Sequence, residues 1–217
     1  MRKIISLLII IGCLFMMNSC NYNNYSNEEK QVLKEYEKLS TSDFNDKYEY
    51  LKDEKNVFVS INYEDLIKKL DSDTFILYVG GAWCPNCQAA VKFINMAAKE
   101  LNIDKVYNFD TRIASLKTSE KDIRNCNSEA QTNLYRILIE ALEYVNPEGI
   151  TTEGTDIPRL AVPAVFAVKD GKVVGVLVKE YFYDEEKDLL YIMGDETNYN
   201  YKEEFLDSLK ELMLSIN

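Results

Sequence analysis

Residues 75–101 read FILYVGGAWCPNCQAAVKFINMAAKEL. The apolar run 75–79 predicts a buried strand, and the segment from Gln88 to Leu101 is typical of a helix. Two cysteines, Cys84 and Cys87, stand between them, separated by two residues. The first turn of a helix offers unpaired N–H groups and a partial positive charge, which favour a thiolate. The pKa of a cysteine in such a motif falls from about 8.5 to roughly 3.5–7.5. The stretch therefore predicts a strand, a loop and a helix that carry a reactive dithiol, exposed enough for a partner to reach.

The composition excludes several classes of function. The chain has 217 residues, a net charge of −11 and no histidine. Its length is enough for one sizeable core with elaborations. The negative charge argues against nucleic-acid binding and against electrostatic attachment to an anionic bilayer. The lack of histidine excludes Ser-His-Asp and Cys-His catalysis and histidine-ligated metals. We expect neither a metal nor a cofactor.

Residues 1–20 have the organisation of a bacterial lipoprotein signal peptide. Two basic residues precede an almost unbroken apolar segment, residues 4–17. This segment is too short for a comfortable membrane span. It ends in MNSC, residues 17–20, which resembles a lipobox, so Cys20 is the predicted site of lipidation. The alternative at Cys13 would leave an unusually short apolar region, and an uncleaved anchor or a plain secretory signal are the other readings.

This leader predicts an exported protein, lipid-anchored to the extracytoplasmic face of the cell membrane. Two acyl chains give stable anchoring, and disulfides persist in that compartment. Residues 21–56 are interpreted as a polar tether followed by a helix over residues 28–39. Of the five cysteines, Cys84, Cys87 and Cys126 belong to the mature domain. Those are too few for a fold held by disulfides, so packing must hold the core.

The remaining chain alternates between strand and helix patterns. Asn62 offers an N-cap, with Asp65 three residues on. An insertion of about fifty residues, about 110–160, is expected to be mainly helical over residues 130–144. Strands are expected at 57–61, 105–109, 161–168 and 173–178, with a hairpin turn at 169–172 and a closing helix at 199–216.

This order of elements resembles the thioredoxin-like fold family. The resemblance rests on the motif WCPNC at 83–87, on Val162-Pro163, and on the turn KDGK at 169–172. It covers about residues 57–216 of a predicted domain at 57–217, and it leaves out the insertion at about 110–160 and a later insertion. The fold class it implies is α/β, with a central mixed sheet flanked by helices and a mainly helical insertion before the cis-proline strand.

The resemblance implies a thiol–disulfide oxidoreductase that acts on extracytoplasmic protein disulfides or thiols. Cys84 would attack and Cys87 would resolve the mixed disulfide. Pro163 matches the family's cis-proline, which lies against the cysteine pair, and the backbone of Val162 would dock the substrate. The implied partners are protein substrates and an electron-transfer partner in or outside the membrane. The insertion would select the partner protein.

Three residues bear on substrate contact and on the direction of electron flow. Trp83 and Pro85 flank Cys84 and are expected to bind substrate. Cys-Pro-x-Cys is similar to glutaredoxins and periplasmic thiol oxidases, whereas the tryptophan is similar to thioredoxins and membrane-tethered reductases, so the direction stays open. Tyr78 stands where many thioredoxins have a buried aspartate that takes the proton of the resolving thiol. Here either another carboxylate or water takes this proton, or the enzyme works in the direction of electron flow that depends less on a proton acceptor.

Other readings of the cysteines remain. The protein could be a thioredoxin-fold accessory or binding lipoprotein in which Cys84 and Cys87 form a structural disulfide without turnover. The pair could form half a zinc site, for which only Cys126 and carboxylates remain as ligands. Thiol-dependent handling of peroxide or metal is a third possible function, for which the sequence contains no dedicated residues. Cys126 is either a third redox thiol or an inert small side chain.

Overall fold

A computed structural model describes residues 25–37, 48, 51, 55–112, 121–178, 183–184, 187–188 and 199–217. The predicted leader, with Cys13 and Cys20, lies outside the described residues, as does most of the predicted tether. Within the described ranges, no helix combines the length and apolar character needed to cross a bilayer.

The described chain forms five main helices and a five-stranded sheet, as the alternating sequence pattern predicts. The helices are α1 (Asn27–Glu37), α2 (Tyr63–Ser72), α3 (Pro85–Glu100), α4 (Glu129–Ala141) and α5 (Tyr199–Leu214), with a 3-10 turn at Ile123–Asn125. The sheet strands are β1 (Phe58–Ser60), β2 (Phe75–Val79), β3 (Val106–Phe109), β4 (Ala164–Lys169) and β5 (Lys172–Leu177). A separate two-stranded pair consists of β6 (Tyr183–Asp184) and β7 (Lys187–Asp188).

The sheet is mixed, with strand order β1-β3-β2-β4-β5. Strand β3 pairs in parallel with β1 and with β2, whereas β2–β4 and β4–β5 are antiparallel. The central strand β2 is buried along its whole length, which is why its sequence is continuously apolar. In the β2–β4 pair, Val79 is opposite Ala164. The segment after β2 and the segment before β4 therefore meet at the same edge of the sheet.

Helices cover both faces of the sheet because successive strand residues point to opposite sides. Leu77 and Val79 belong to the core formed with α1, α2 and α4. Ile76 and Tyr78 belong to the core formed with α3 and α5. The fold class predicted from sequence, an α/β protein with a mixed sheet flanked by helices, is confirmed at this level.

Several local predictions are confirmed. Strand β2 has the predicted bounds, and Asn62 caps α2 by accepting a hydrogen bond from the Asp65 N–H at 2.8 Å. Asp170 and Gly171 form the predicted hairpin turn, and both have positive φ, as a type I′ turn requires. Helix α3 starts at Pro85, three residues earlier than predicted, because proline fits the first helical position.

Two segments outside the predicted domain core pack against it. In α1, Leu33 is buried with the residues of α2 and α4. Tyr48 and Leu51 are buried on the opposite face, with α3 and α5. The helix predicted at residues 130–144 of the insertion is α4, residues 129–141, and it covers one face of the sheet.

Candidate functional site

The cysteine motif lies at the start of α3, directly after β2. Cys84 is the N-cap residue, and Pro85 and Cys87 lie in the first turn. The Cys84 N–H donates to the Gly81 carbonyl at 3.0 Å, and the Gln88 N–H donates to the Cys84 carbonyl at 3.0 Å. These bonds hold Cys84 at the end of α3 where the N–H groups of the first turn lack partners within the helix.

The environments of the two thiols drive their pKa values apart. A hydrogen bond from Cys87, together with the N–H groups of Cys87 and Asn86 and the charge of Arg124, lowers the pKa of Cys84 to about 7 against the opposing effect of burial. Burial raises the pKa of Cys87, which has no exposed surface. Near neutral pH a large fraction of Cys84 is therefore thiolate, whereas Cys87 keeps its proton.

A cis peptide bond joins Val162 and Pro163, as the resemblance implied. The Cys84 thiol donates to the Val162 carbonyl oxygen, with 3.9 Å between sulfur and oxygen. Pro163 is buried and Val162 is half-buried. The contact to the cysteine thus runs through the carbonyl of the residue before the proline. Among the described residues, the Val162 N–H has no hydrogen-bond partner.

Residues of the insertion hold the segment that leads to this cis bond. The Tyr135 hydroxyl accepts from the Leu160 N–H at 2.7 Å, and Arg124 Nη1 donates to the Leu160 carbonyl at 3.1 Å. The Tyr144 hydroxyl accepts from the Ala161 N–H at 3.3 Å. Because both polar groups of Leu160 are engaged, the backbone has little freedom two residues before Val162.

Trp83 is enclosed by charged side chains. Its indole N–H donates to Asp110 at 2.9 Å. The guanidinium carbon of Arg112 lies 3.6 Å from the ring centroid, and that of Arg124 lies 5.2 Å from it. A side chain on Gly81 would overlap the Asp110 carboxylate and the indole nitrogen, which explains a glycine at this position. The stacked Arg112 covers ring surface that the sequence argument assigned to substrate.

A buried ion pair supports these arginines. Arg124 donates to the Asp122 carboxylate through Nη2 at 2.7 Å and Nε at 2.9 Å, and Arg112 Nε donates to it at 3.2 Å. The side chains of Asp122 and Arg124 are 1% and 8% exposed. Burial alone would raise the pKa of Asp122, but the hydrogen bonds and charge of Arg124 outweigh it and lower this pKa. The site therefore contains a fixed cation near Cys84.

Tyr78 and Tyr48 lie on the other side of the cysteine pair. Both side chains are buried, and their hydroxyl oxygens are 3.3 Å apart. A Cβ added to Gly80 would lie 2.6 Å from the Cys87 sulfur and 2.7 Å from the Tyr78 hydroxyl oxygen. The sulfur and the hydroxyl thus converge beside Gly80, and only glycine leaves space for both.

The structure brings together most of the residues singled out in the sequence. Trp83, Cys84, Cys87 and Val162 meet at one edge of the sheet, and Pro85 is exposed beside them. One expectation is corrected: Cys84, expected to be exposed enough for a partner to reach, has only 8% of its surface exposed, because it packs in the core cluster that α3 shares with the sheet.

Sequence reasoning missed the charged and hydroxyl groups around the motif. It named Tyr78 only as a departure from a family pattern and assigned no role to its partner Tyr48. The missed acidic residues and arginines come from the insertion and its entry: Asp110, Arg112, Asp122 and Arg124. The sequence around Trp83 does not indicate these residues, because only the tertiary fold brings them to the site.

Cys126 does not share the features that activate Cys84. It is half-buried, follows the 3-10 turn with a positive φ of 52°, and its pKa is raised by burial. A raised pKa leaves less thiolate at neutral pH. These features favour the inert reading of this residue. In the described ranges, no three Cys, Asp or Glu side chains converge in a way that could hold a metal ion.

Comparison with known proteins gives no relative from which a function could be transferred. No protein-family model, curated protein or solved structure matches the chain. Any assignment therefore depends on the geometry of the site.

Proposed function

We propose that this protein is a thioredoxin-like thiol–disulfide oxidoreductase that acts on extracytoplasmic protein substrates. The support is the arrangement of Cys84 and Cys87 at the start of α3, beside the cis Val162–Pro163 bond. The mixed sheet order β1-β3-β2-β4-β5 is compatible with that fold.

The observation that carries the proposal is the unequal thiol pair. Cys84 has a pKa of about 7, so a large fraction is thiolate at neutral pH, whereas the pKa of Cys87 is raised by burial. A thiolate attacks a disulfide, and a thiol of low pKa also leaves readily. Cys84 therefore serves as nucleophile towards a substrate disulfide and as the sulfur released when a mixed disulfide is resolved.

The backbone at Val162 supports a docking role next to Cys84. Its carbonyl lies 3.9 Å from the sulfur, and its N–H lacks a partner among the described residues. An extended substrate segment that paired with this backbone would bring its own sulfur to Cys84. The firmly bonded Leu160 would keep the docking residue in place.

The proposed location is the extracytoplasmic face of the cell membrane, with Cys20 as the lipid-bearing residue. The motif at residues 17–20 supports this part of the proposal. Metabolic labelling with a fatty acid is expected to mark the wild type and to fail for Cys20→Ala. If Cys20→Ala keeps the label and Cys13→Ala loses it, Cys13 is the residue that carries the lipid.

The activity is tested with the mature chain in both directions, by insulin disulfide reduction and by oxidation of a peptide dithiol. We expect turnover by the wild type, complete loss in Cys84→Ala, and full activity in the matched control Cys126→Ala. The Cys87→Ser variant is expected to accumulate a mixed disulfide on Cys84, which mass spectrometry detects. A wild type that is inactive in both assays contradicts the proposal.

One observation favours the second candidate, an accessory protein with a locked disulfide. Cys84 has only 8% of its surface exposed, which limits access by a bulky substrate. In that case the oxidised pair would resist reduction by dithiothreitol in the folded state. Rapid reduction under native conditions would exclude this candidate.

A further inference from the structure

Tyr78 and Cys87 occupy one closed corner of the core between the sheet and α3. Tyr78 comes from β2, Cys87 comes from the first turn of α3, and both side chains have no exposed surface. The space above Gly80 holds the Cys87 sulfur and the Tyr78 hydroxyl at nearly equal distances, 2.6 and 2.7 Å from the position of a Cβ. The phenol is thereby placed beside the resolving sulfur and apart from bulk water.

A second hydroxyl supports the first. The Tyr48 and Tyr78 hydroxyl oxygens are 3.3 Å apart, and Tyr48 is 1% exposed. Phe58 packs edge-on against the Tyr78 ring, with 5.8 Å between the centroids. The ring is therefore fixed by packing, while its oxygen contacts the Tyr48 hydroxyl and shares the space beside Gly80 with the Cys87 sulfur.

We propose that Tyr78 is a catalytic hydrogen-bond donor that stabilises Cys87 as a thiolate when the Cys84–Cys87 disulfide opens, and that Tyr48 positions its hydroxyl. This role deepens the proposed function and rests on it. A buried thiolate without a donor would be costly, because burial removes the water that would otherwise solvate the charge.

A dithiol substrate supplies the two electrons and the proton that reduction of the Cys84–Cys87 disulfide requires. A substrate thiolate attacks the Cys84 sulfur, a substrate–Cys84 bond forms, and the electron pair of the broken disulfide goes to Cys87, which accepts the hydrogen bond of Tyr78. The second substrate thiol gives its proton to Cys87 and attacks the substrate sulfur of the mixed disulfide, releasing Cys84 as a thiolate. The substrate loses two electrons and the cysteine pair gains them.

Tyr78 donates in this step and keeps its own proton. Burial, with the nearby Cys87 and Tyr48, raises the pKa of Tyr78 well above its ordinary value. A phenol that stays neutral cannot remove the proton of Cys87, so the proton comes from and returns to the substrate. The hydrogen bond lowers the barrier equally in both directions, because both pass through the same Cys87 thiolate.

The test compares Tyr78→Phe with Tyr63→Phe. Tyr63 is buried on the opposite face of the sheet, where its hydroxyl donates to the Leu134 carbonyl at 2.7 Å, so this control loses the same atom elsewhere. The rates at which dithiothreitol reduces the oxidised pair and an oxidised dithiol reoxidises it are measured by stopped flow. We expect Tyr78→Phe to slow both by roughly 10- to 100-fold. Tyr63→Phe is expected to retain the wild-type rates.

Two readouts separate a chemical role from a structural one. Because the resting reduced state holds a proton on Cys87, Tyr78→Phe should leave the reduction potential and the alkylation rate of Cys84 close to wild type. Tyr48→Phe should slow the same step by a smaller factor, and this variant keeps the test decisive if Tyr78→Phe does not fold. Wild-type rates in a folded Tyr78→Phe overturn the proposal. With that variant lost, an unchanged rate in Tyr48→Phe overturns it.

The failure of this inference is distinguishable from the failure of the proposed function. If the oxidised wild type does not exchange with dithiols at all, the oxidoreductase proposal falls. If the wild type exchanges and Tyr78→Phe exchanges equally fast, only the role of Tyr78 falls. Equal slowing in Tyr78→Phe and Tyr63→Phe would indicate loss of packing and also contradict the role.

Discussion

The Cys84 sulfur lies 3.9 Å from the Val162 carbonyl oxygen, although 78 residues separate them in the chain. The register of two antiparallel strands produces this contact. Val79 at the end of β2 is opposite Ala164 at the start of β4, so the residues just beyond each strand meet. We therefore expect a substitution at Val162 to alter the reactivity of Cys84, and a substitution at Cys84 to alter the contacts of the Val162 backbone.

Alkylation of Cys84 is expected to report its low pKa. In a Cys126→Ala background, the iodoacetamide rate of the reduced protein should rise with pH and reach half its maximum at about 7. Because the hydrogen bond from Cys87 is the largest effect that lowers this pKa, Cys87→Ala should move the midpoint upwards. Cys87→Ser should move it less, since a hydroxyl still donates. A midpoint that stays the same in Cys87→Ala contradicts this assignment.

Arg124→Gln is expected to raise the pKa of Cys84, because the guanidinium charge helps to lower it. Arg124→Lys keeps the charge and should leave the alkylation midpoint nearer to wild type, while it loses the two-pronged bond to Asp122. The matched control is Arg136→Gln at an exposed ion pair, which should not move the midpoint. Equal midpoints in Arg124→Gln and wild type would remove Arg124 from the electrostatics of the site.

Asp122→Asn is expected to lower the free energy of unfolding by about 3–5 kcal/mol, because it leaves the Arg124 charge buried and poorly paired. Urea denaturation measures this loss. Asp156→Asn, which breaks the exposed pair with Arg136, serves as the control and should have little effect. Similar losses in the two variants would show that the buried ion pair stabilises the fold no more than the exposed one.

The same pair predicts a pH dependence of stability. The pKa of Asp122 is lowered in the folded protein, so its contribution is complete above the unfolded value of about 3.9 and is lost as pH falls below it. Urea midpoints measured from neutral pH down to acid should therefore fall more steeply in the wild type than in Asp122→Asn. Parallel pH curves for the two proteins would count against this linkage.

Fluorescence of Trp83 should report the stacked arginine, since it is the single tryptophan of the chain. Arg112→Ala removes the guanidinium that lies 3.6 Å from the ring centroid, so acrylamide should quench the emission more strongly. The control Arg136→Ala should leave quenching unchanged. If Arg112→Ala is quenched no more than the wild type, the stacking does not shield the ring in solution.

The parts of the fold that short-range physics controls could be predicted from sequence. Strand β2 was predicted to the residue because five consecutive apolar side chains require burial on both faces of a sheet. The cap at Asn62 and the turn at Asp170 follow from local hydrogen bonding and from the positive φ of the turn residues. The element ends were less accurate. Strand β4, for example, begins at Ala164, three residues later than predicted, because Pro163 has no N–H to donate to the sheet.

The environment of the cysteines could not be predicted in the same way. Asp122 and Arg124 are close neighbours in the chain, but only folding places their ion pair beside Trp83. Tyr78 differs from a family pattern, but a role for its hydroxyl can be inferred only from its position near Cys87 and Tyr48 in the fold. Such contacts join residues far apart in the sequence and leave no periodic signal.

The sequence by itself determined a dithiol at the mouth of a helix, the strand before it and a proline that could adopt a cis bond. Their causes are local: helix-terminal N–H groups, burial of apolar side chains and the geometry of proline. Only the tertiary structure decided which sulfur is activated and which is enclosed. That decision depends on burial and on charges and hydroxyl groups from distant segments, whose effect on a thiol depends on how close the fold brings them to it.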